Sequence, residues 1–155
     1  MFSDEIHNIL SNDPITKDRF LGVYSADELV RITKKKNFCV VVNTDTQFQT
    51  GRHWQSIFVD NDRNCYFFCS LGEKPNEHIA NYLKTFPKVF YNTYKNQRSN
   101  EITCGGFVIF ILAMMCRGYP FQTLCGLLDN LTNDDNFIRS YLWDNYKYQL
   151  PPSRN

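Results

Sequence analysis

The sequence has 155 residues, of which 43% are hydrophobic and 21% charged, and its formal net charge is +1. This composition excludes a disordered chain, and the near-neutral charge gives the whole molecule no electrostatic reason to bind DNA or an anionic membrane. The basic run Lys34 to Lys36 is interpreted as a solvated helix end rather than a nucleic-acid site. We expect one domain over residues 1–150, with residues 151–155 as a frayed tail.

Two features of the sequence argue against secretion and membrane insertion. The N-terminus lacks the basic and apolar regions of a signal peptide, and the longest apolar run, Phe107 to Cys116, is too short to span a bilayer. We therefore expect an intracellular protein in a reducing compartment, monomeric and without membrane contact. The six cysteines follow no zinc-site spacing, so most are expected to be reduced core residues, one to be reactive, and no metal or cofactor to be bound.

The first half of the chain predicts two helices and three strands. Apolar positions at helical spacing predict a helix over residues 2–10, and the capping box Ser25 to Glu28 predicts a helix that runs to about residue 35. The apolar run Phe38 to Asn43 predicts a buried strand. Residues 53–59 and 65–69 are separated by a turn-rich segment and predict a hairpin at the centre of a sheet.

The second half predicts mainly helices. The predicted elements are a helix over 77–86, a strand over 88–94, a polar loop over 96–103, a helix from Cys104 to about Arg117, and helices over 121–130 and 134–148. The sequence therefore predicts an α+β fold, in which helices pack on a small mixed sheet. Cys104 is expected at the N-terminus of a central buried helix.

Cys104 is the best candidate for a nucleophile. The N-terminus of a helix stabilises a thiolate, and so does a neighbouring histidinium. The next two residues, Gly105 and Gly106, are poor helix formers, so close approach of a substrate backbone is one reason for their presence. From Cys-Gly-Gly alone, a small apolar residue at a crowded helix start is an equally good interpretation.

His53 is the candidate base. It begins a predicted strand directly after the Gly51-Arg52 turn, and the indole of Trp54 would wall off an adjacent site from water. His7 and His78 are placed on polar helix faces instead. A histidine and a helix-capping cysteine form the pair that produces a thiolate and an imidazolium, although spacing alone does not establish the pairing.

The order His53-Trp54, Gln97, Cys104-Gly105 resembles the adenovirus proteinase family, whose clan also contains the SUMO-specific proteases and the African swine fever virus protease. Four segments carry the resemblance, which covers about residues 20 to 118: Phe20 to Tyr24, Val42 to Thr44 with Gly51 to Trp54, Cys65 to Phe68, and Gln97 with Thr103 to Phe107. The resemblance implies Cys104 as nucleophile, His53 as general base and acid, and Gln97 as a donor to the oxyanion. It also implies substrate contacts at Gly51, Trp54 and Gly105.

One position departs from the family. Where the family has a carboxylate, or occasionally an asparagine, this chain has Cys69, and a thiol orients an imidazole poorly. The hypothesis is a working dyad of Cys104 and His53, with Cys69, Ser70 or a water in place of the carboxylate. Asp60 and Asp62 are unsuitable because they lie in the turn at the far end of the predicted hairpin.

The resemblance implies a cysteine protease that cleaves at Gly-Gly or Gly-X sites in capsid precursor polypeptides during maturation. The source would be a DNA virus, a virophage or a Maverick/Polinton transposon, and the enzyme would act in the host cytoplasm or nucleus or be packaged in the virion. The alternatives are an isopeptidase that removes SUMO-like or ubiquitin-like modifiers, and an inactive member that binds Gly-rich peptides. The resemblance also leaves a peptide or DNA activator open, although the sequence shows no obvious footprint for DNA.

Overall fold

The computed structural model describes residues 1–45, 53–98 and 101–153. A single mixed sheet contains five strands in the order of the chain: β1 (Phe20–Ser25), β2 (Phe38–Asn43), β3 (Trp54–Val59), β4 (Asn64–Phe68) and β5 (Lys88–Tyr91). The three central strands are antiparallel, and the outer pairs β1–β2 and β4–β5 are parallel. The predicted α+β class, the mixed sheet and the central hairpin are confirmed.

The helical segments cover both faces of this sheet. They are α1 (Ser3–Asn12), a 3₁₀ helix (Ala26–Arg31), α2 (Glu77–Leu83), α3 (Cys104–Cys116), α4 (Phe121–Asp129) and α5 (Asp134–Tyr146). Alternate residues of β2 enter two separate cores, as the two-residue period of a strand requires. Cys39 and Val41 pack with α1, α3, α4 and α5, whereas Val40 and Val42 pack with the 3₁₀ helix and α2.

Helix α3 is the centre of the larger core. Ten of its thirteen residues are buried, which agrees with an apolar run that shows no polar face. The helix packs against β3 on one side and against α5 and α1 on the others. Its first turn is thereby fixed beside the beginning of β3. No helix in the described ranges has the length and the apolar character to cross a bilayer.

The segment after Ser25 differs from its prediction. The Glu28 carboxylate accepts from the Ser25 amide at 3.0 Å and from its hydroxyl at 2.5 Å, as a capping box predicts. The segment is nevertheless a 3₁₀ helix, and it ends at Arg31 rather than near residue 35. Ala26, Leu29 and Ile32 are all buried. Ala26 and Leu29 share one face of the helix, as its three residues per turn require, and Ile32 directly follows its last residue.

Strand β1 is an element that the sequence patterns did not predict. Its pairing with β2 shifts register between Phe20 and Gly22, and Gly22 has a φ of +144°, a conformation that favours glycine. The irregularity breaks the alternation of apolar residues that identifies a strand. The remaining elements lie where they were predicted, except that α2 ends at Leu83, β5 at Tyr91 and α5 at Tyr146.

Candidate active site

Cys104 lies where the first turn of α3 meets the first residue of β3. The backbone N–H groups of Trp54 and Gly105 lie close to its sulfur and act to lower the pKa of the thiol. Thr103, the residue before the helix, does not cap it, because its hydroxyl donates to Asp135 at 2.5 Å. The first N–H groups of α3 therefore remain available to the Cys104 sulfur and to a ligand. Since Trp54 follows His53, the sheet brings the predicted nucleophile beside the segment of the predicted base.

His53 faces Cys69. The two side chains are buried, and His53 Nε2 lies 3.3 Å from Cys69 Sγ. Cys69 directly follows β4, which pairs with β3, so the hairpin itself creates this contact. Because Nε2 is engaged with the thiol, Nδ1 is the nitrogen that remains for the proton of Cys104. Of the two side chains considered in place of the family's carboxylate, Cys69 is therefore the one that contacts the imidazole.

The electrostatic environment favours neutral side chains. Burial lowers the pKa of His53 from 6.5 to about 4. Burial also raises the pKa of the Cys104 thiol, against the opposing effect of the Trp54 and Gly105 N–H groups. Both shifts favour a thiol and a neutral imidazole in the absence of substrate. The physical reason is that, among the residues that the structure describes, no carboxylate compensates for the desolvation of a protonated His53.

We expect the wild-type protein to lose stability relative to a His53→Gln variant as the pH falls from 6.5 to about 4. In this window the unfolded chain binds a proton that the native state excludes, so acid favours unfolding. The full shift corresponds to about 3 kcal/mol of unfolding free energy. Urea unfolding of both proteins between pH 6.5 and about 4 measures this change in the free energy of unfolding. A difference that does not change with pH would show that the pKa of His53 is not lowered.

Gln97 is buried, and its carboxamide is engaged at both ends. Its Oε1 accepts from the Ser70 hydroxyl at 2.7 Å, and its Nε2 donates to the Glu101 carbonyl oxygen at 2.7 Å. Ser70 thus contacts Gln97 and not His53, which answers the question of whether Ser70 replaces the missing carboxylate. The two consecutive residues Cys69 and Ser70 contact two different candidate site residues.

The two glycines after Cys104 are explained by packing within the chain. A Cβ at Gly106 would lie 2.5 Å from Ile138 Cγ2, so a side chain there would collide with α5. A Cβ at Gly105 would lie 3.0 Å from the sulfur of Met1. The Trp54 indole N–H donates to the Met1 carbonyl oxygen at 3.1 Å. Met1 therefore lies between the two described residues for which substrate contacts were predicted. The third, Gly51, lies outside the described residues.

Helix α5 stabilises the loop that leads to Cys104, and the sequence patterns gave no signal for this role. Asp135 lies in the first turn of α5. Its buried carboxylate accepts from the Thr103 hydroxyl and from the Arg98 amide at 3.1 Å. Arg139, one turn later, pairs with Glu101 at 2.5 Å. Both ends of the described loop are therefore attached to one helix.

Asn92 holds the backbone of Cys69 in place. Its Oδ1 accepts from the Cys69 N–H at 2.8 Å, and its Nδ2 donates to the Cys69 carbonyl oxygen at 2.7 Å. Cys69 and Asn92 each follow the end of one of the two parallel strands β4 and β5, which brings them side by side. Sequence alone does not reveal which strands pair, so this role of Asn92 was not predicted.

We expect Asn92→Ala to lower the free energy of unfolding by about 1–3 kcal/mol, because it leaves the buried Cys69 N–H unpaired. The Cys69 carbonyl loses one of two hydrogen bonds and keeps the one from the Gly72 N–H at 2.9 Å. Urea unfolding measures the change. Asn130→Ala is the matched control, since the Asn130 amide donates to the Gly126 carbonyl at an exposed site. The control should change stability by less than about 0.5 kcal/mol. Equal effects of the two variants would contradict this role of Asn92.

The other residues considered in the sequence lie away from this site. Asp60 and Asp62 lie in the turn after β3, at the opposite end of the strand from His53. His7 and His78 are exposed on α1 and α2, as predicted. Across the described ranges, no three His, Cys, Asp or Glu side chains are grouped as metal ligands would be. None of the six cysteines forms a disulfide.

No family model matches the chain. Among curated proteins, it is 27% identical over 110 residues to a SUMO-1 cysteine protease of African swine fever virus, a match of 58% of this chain and 40% of that protein. It is 26% identical over 95 residues to a thiol protease predicted in Acanthamoeba polyphaga mimivirus, a match of 54% of this chain and 32% of that protein. The matched segments thus span less than half the length of these relatives.

Solved structures give the fold directly. A crystal structure of the African swine fever virus protease superposes with a TM-score of 0.68 at 19% identity and covers 97% of this chain and 67% of that one. A selenomethionine form gives 0.65 at 17% identity, covering 97% of this chain and 68% of that one. This chain has the fold of that viral protease. The expected likeness to viral cysteine proteases is confirmed, whereas the adenovirus relationship and the transposon origin stay predictions.

Proposed function

We propose that the protein is a cysteine endopeptidase in which Cys104 is the nucleophile and His53 is the base. One observation carries the proposal. The sulfur of Cys104 lies beside the backbone N–H groups of Gly105, at the start of α3, and of Trp54, which directly follows the buried His53. The similarity to viral cysteine and thiol proteases supports the same activity.

The residues of the site account for each proton transfer in this reaction. As the Cys104 sulfur attacks the carbonyl carbon of the scissile bond, His53 Nδ1 accepts the thiol proton. Gln97 Nε2 and a backbone N–H at the start of α3 would donate to the oxyanion. His53 then protonates the leaving amine, which leaves a thioester on Cys104. Water attacks this thioester with His53 again as base, which releases the acid product and restores the thiol.

The proposed substrate is a precursor polypeptide cleaved at Gly-Gly or Gly-X. Trp54 and Met1 lie beside Cys104, and such crowding favours residues without side chains at the cleaved bond. By resemblance, the substrate is a capsid precursor of a DNA virus or a virus-like element. The enzyme would act as a monomer in the host cell, without a metal or cofactor.

A Gly-Gly peptide that carries a cysteine-reactive group tests the catalytic pair. We expect one adduct per chain, which mass spectrometry locates at Cys104 and which His53→Ala suppresses. Equal labelling of several cysteines, unaffected by His53→Ala, would favour the inactive peptide-binding member. Cleavage of an unmodified peptide by the wild type, and its absence in Cys104→Ala, completes the test.

The second candidate function is removal of a SUMO-like modifier, because the African swine fever virus relative is named a SUMO-1 cysteine protease. The two functions differ in what the enzyme must bind. A processing enzyme should cleave the short peptide and the same sequence in an unfolded linker at similar rates. A deconjugase should cleave a folded modifier fusion much faster than the peptide.

A further inference from the structure

The orientation of the Gln97 carboxamide is determined by its two partners. The Glu101 carbonyl oxygen can only accept a hydrogen bond, so it must face the Gln97 NH₂ group. The Ser70 hydroxyl lies 2.7 Å from the other end and therefore donates to Oε1. Reversing the amide would place Oε1 against the Glu101 oxygen, which is repulsive. Glu101 uses one of the two Nε2 protons, so the second remains for the oxyanion in the proposed function.

Ser70 is itself held rigidly. It is fully buried, and its carbonyl oxygen accepts from the backbone N–H groups of Asn96 at 2.8 Å and Gln97 at 2.9 Å. The preceding residue, Cys69, is fixed by two hydrogen bonds to Asn92. Ser70 therefore contacts Gln97 through both the backbone and the side chain. Because the backbone of Ser70 is fixed, its hydroxyl can hold the Gln97 side-chain amide in one orientation.

We propose that Ser70 is a positioning residue that orients the Gln97 carboxamide for oxyanion stabilisation. The inference rests on the proposed function and adds to it a residue that does not contact substrate. An oxyanion donor acts by being fixed in advance where negative charge develops, and removing one costs about 10²–10³-fold in turnover. Without the Ser70 hydroxyl, Gln97 keeps only the bond to Glu101 and its amide can rotate away.

The test is a double-mutant cycle on peptide cleavage. We expect Gln97→Ala to lower kcat by about 10²-fold. Ser70→Ala should lower kcat by about 10-fold with little change in KM, since the lost interaction is made in the transition state. In the Gln97→Ala background, Ser70→Ala should have no further effect on kcat, because Ser70 affects the reaction only by orienting Gln97.

Ser56→Ala is the matched control. Ser56 is a buried serine on β3, and its hydroxyl has no hydrogen-bond partner among the described residues. Removing it tests the loss of a buried hydroxyl without touching Gln97, and kcat should stay within about two-fold of wild type. Ser70→Cys keeps the shape of serine with a weaker donor and should give an intermediate kcat. It also serves as the test variant if Ser70→Ala does not fold.

Alkylation of Cys104 by iodoacetamide separates positioning from loss of structure. The reaction forms no oxyanion, so Ser70→Ala should react at the wild-type rate at a pH near 9.0, the ordinary thiol pKa. Equal fold losses for Ser70→Ala in both backgrounds would overturn the inference, and so would wild-type kcat in Ser70→Ala and Ser70→Cys. If the wild type cleaves the peptide, either of these results contradicts the inference about Ser70 and leaves the proposed function unaffected. A wild type that cleaves no peptide contradicts the proposed function itself.

Discussion

His53→Ala is expected to lower kcat/KM for peptide cleavage by about 10³–10⁴-fold, because the thiol of Cys104 loses the group that accepts its proton. The raised pKa of that thiol makes the loss large, since little thiolate exists near neutral pH without a base. Progress curves with a fluorogenic Gly-Gly peptide measure the change. Added imidazole should restore part of the activity, because it fits the space that the side chain leaves.

His78→Ala is the control for this substitution, since His78 is exposed on α2, which packs on the opposite face of the sheet from α3. It should leave kcat/KM within about two-fold of wild type. Thermal unfolding of His53→Ala identifies any loss of structure. A folded His53→Ala protein with nearly wild-type activity would show that another group is the base.

Cys69→Asp is expected to raise kcat/KM by about 10²-fold, within the 10⁴-fold that the equivalent aspartate contributes in serine proteases. A carboxylate can only accept from His53 Nε2, so it forces the tautomer in which Nδ1 is free to take the proton of Cys104. The Cys69 thiol can donate or accept across the same 3.3 Å contact and so permits both tautomers. The negative charge also stabilises the imidazolium that forms during attack.

Cys69→Asn tests the contribution of the charge and of an obligate acceptor. An asparagine amide is uncharged and can present either its oxygen or its NH₂ to Nε2, so its gain should be smaller than that of aspartate. NMR titration should show the pKa of His53 rising from about 4 in Cys69→Asp. If Cys69→Asp abolishes cleavage while the protein stays folded, the Cys69 thiol has a function of its own. The site would then not be a weakened triad.

Three contacts connect Asn92, Cys69 and Ser70 with the candidate site residues His53 and Gln97. Asn92 holds the Cys69 backbone, Cys69 faces His53, and Ser70 holds Gln97. The segment that follows β4 therefore contacts both the proposed base and the proposed oxyanion donor. A variant that displaces this segment should reduce activity more than any one of its contacts suggests, because both groups move together.

Much of the fold was readable from local patterns. The run that follows Cys104 is too long and too apolar for a strand, so it predicted the buried helix α3 and placed the cysteine at its start. The hairpin of β3 and β4 was predicted from two apolar runs around a turn-rich segment. Strand β1 was missed because Gly22 interrupts the alternation, and its identity as a strand depends on pairing with β2.

The sequence by itself identified the candidate site residues and the elements on which they lie, whereas only the tertiary structure decided which residues they contact. The helix start, the strand start and the order of His53, Gln97 and Cys104 are local features of the chain. The contact of Cys69 with His53, the fixing of Gln97 by Ser70 and the attachment of Thr103 to Asp135 join distant segments. They depend on which strands pair and on how α5 packs, and residue spacing does not encode either arrangement.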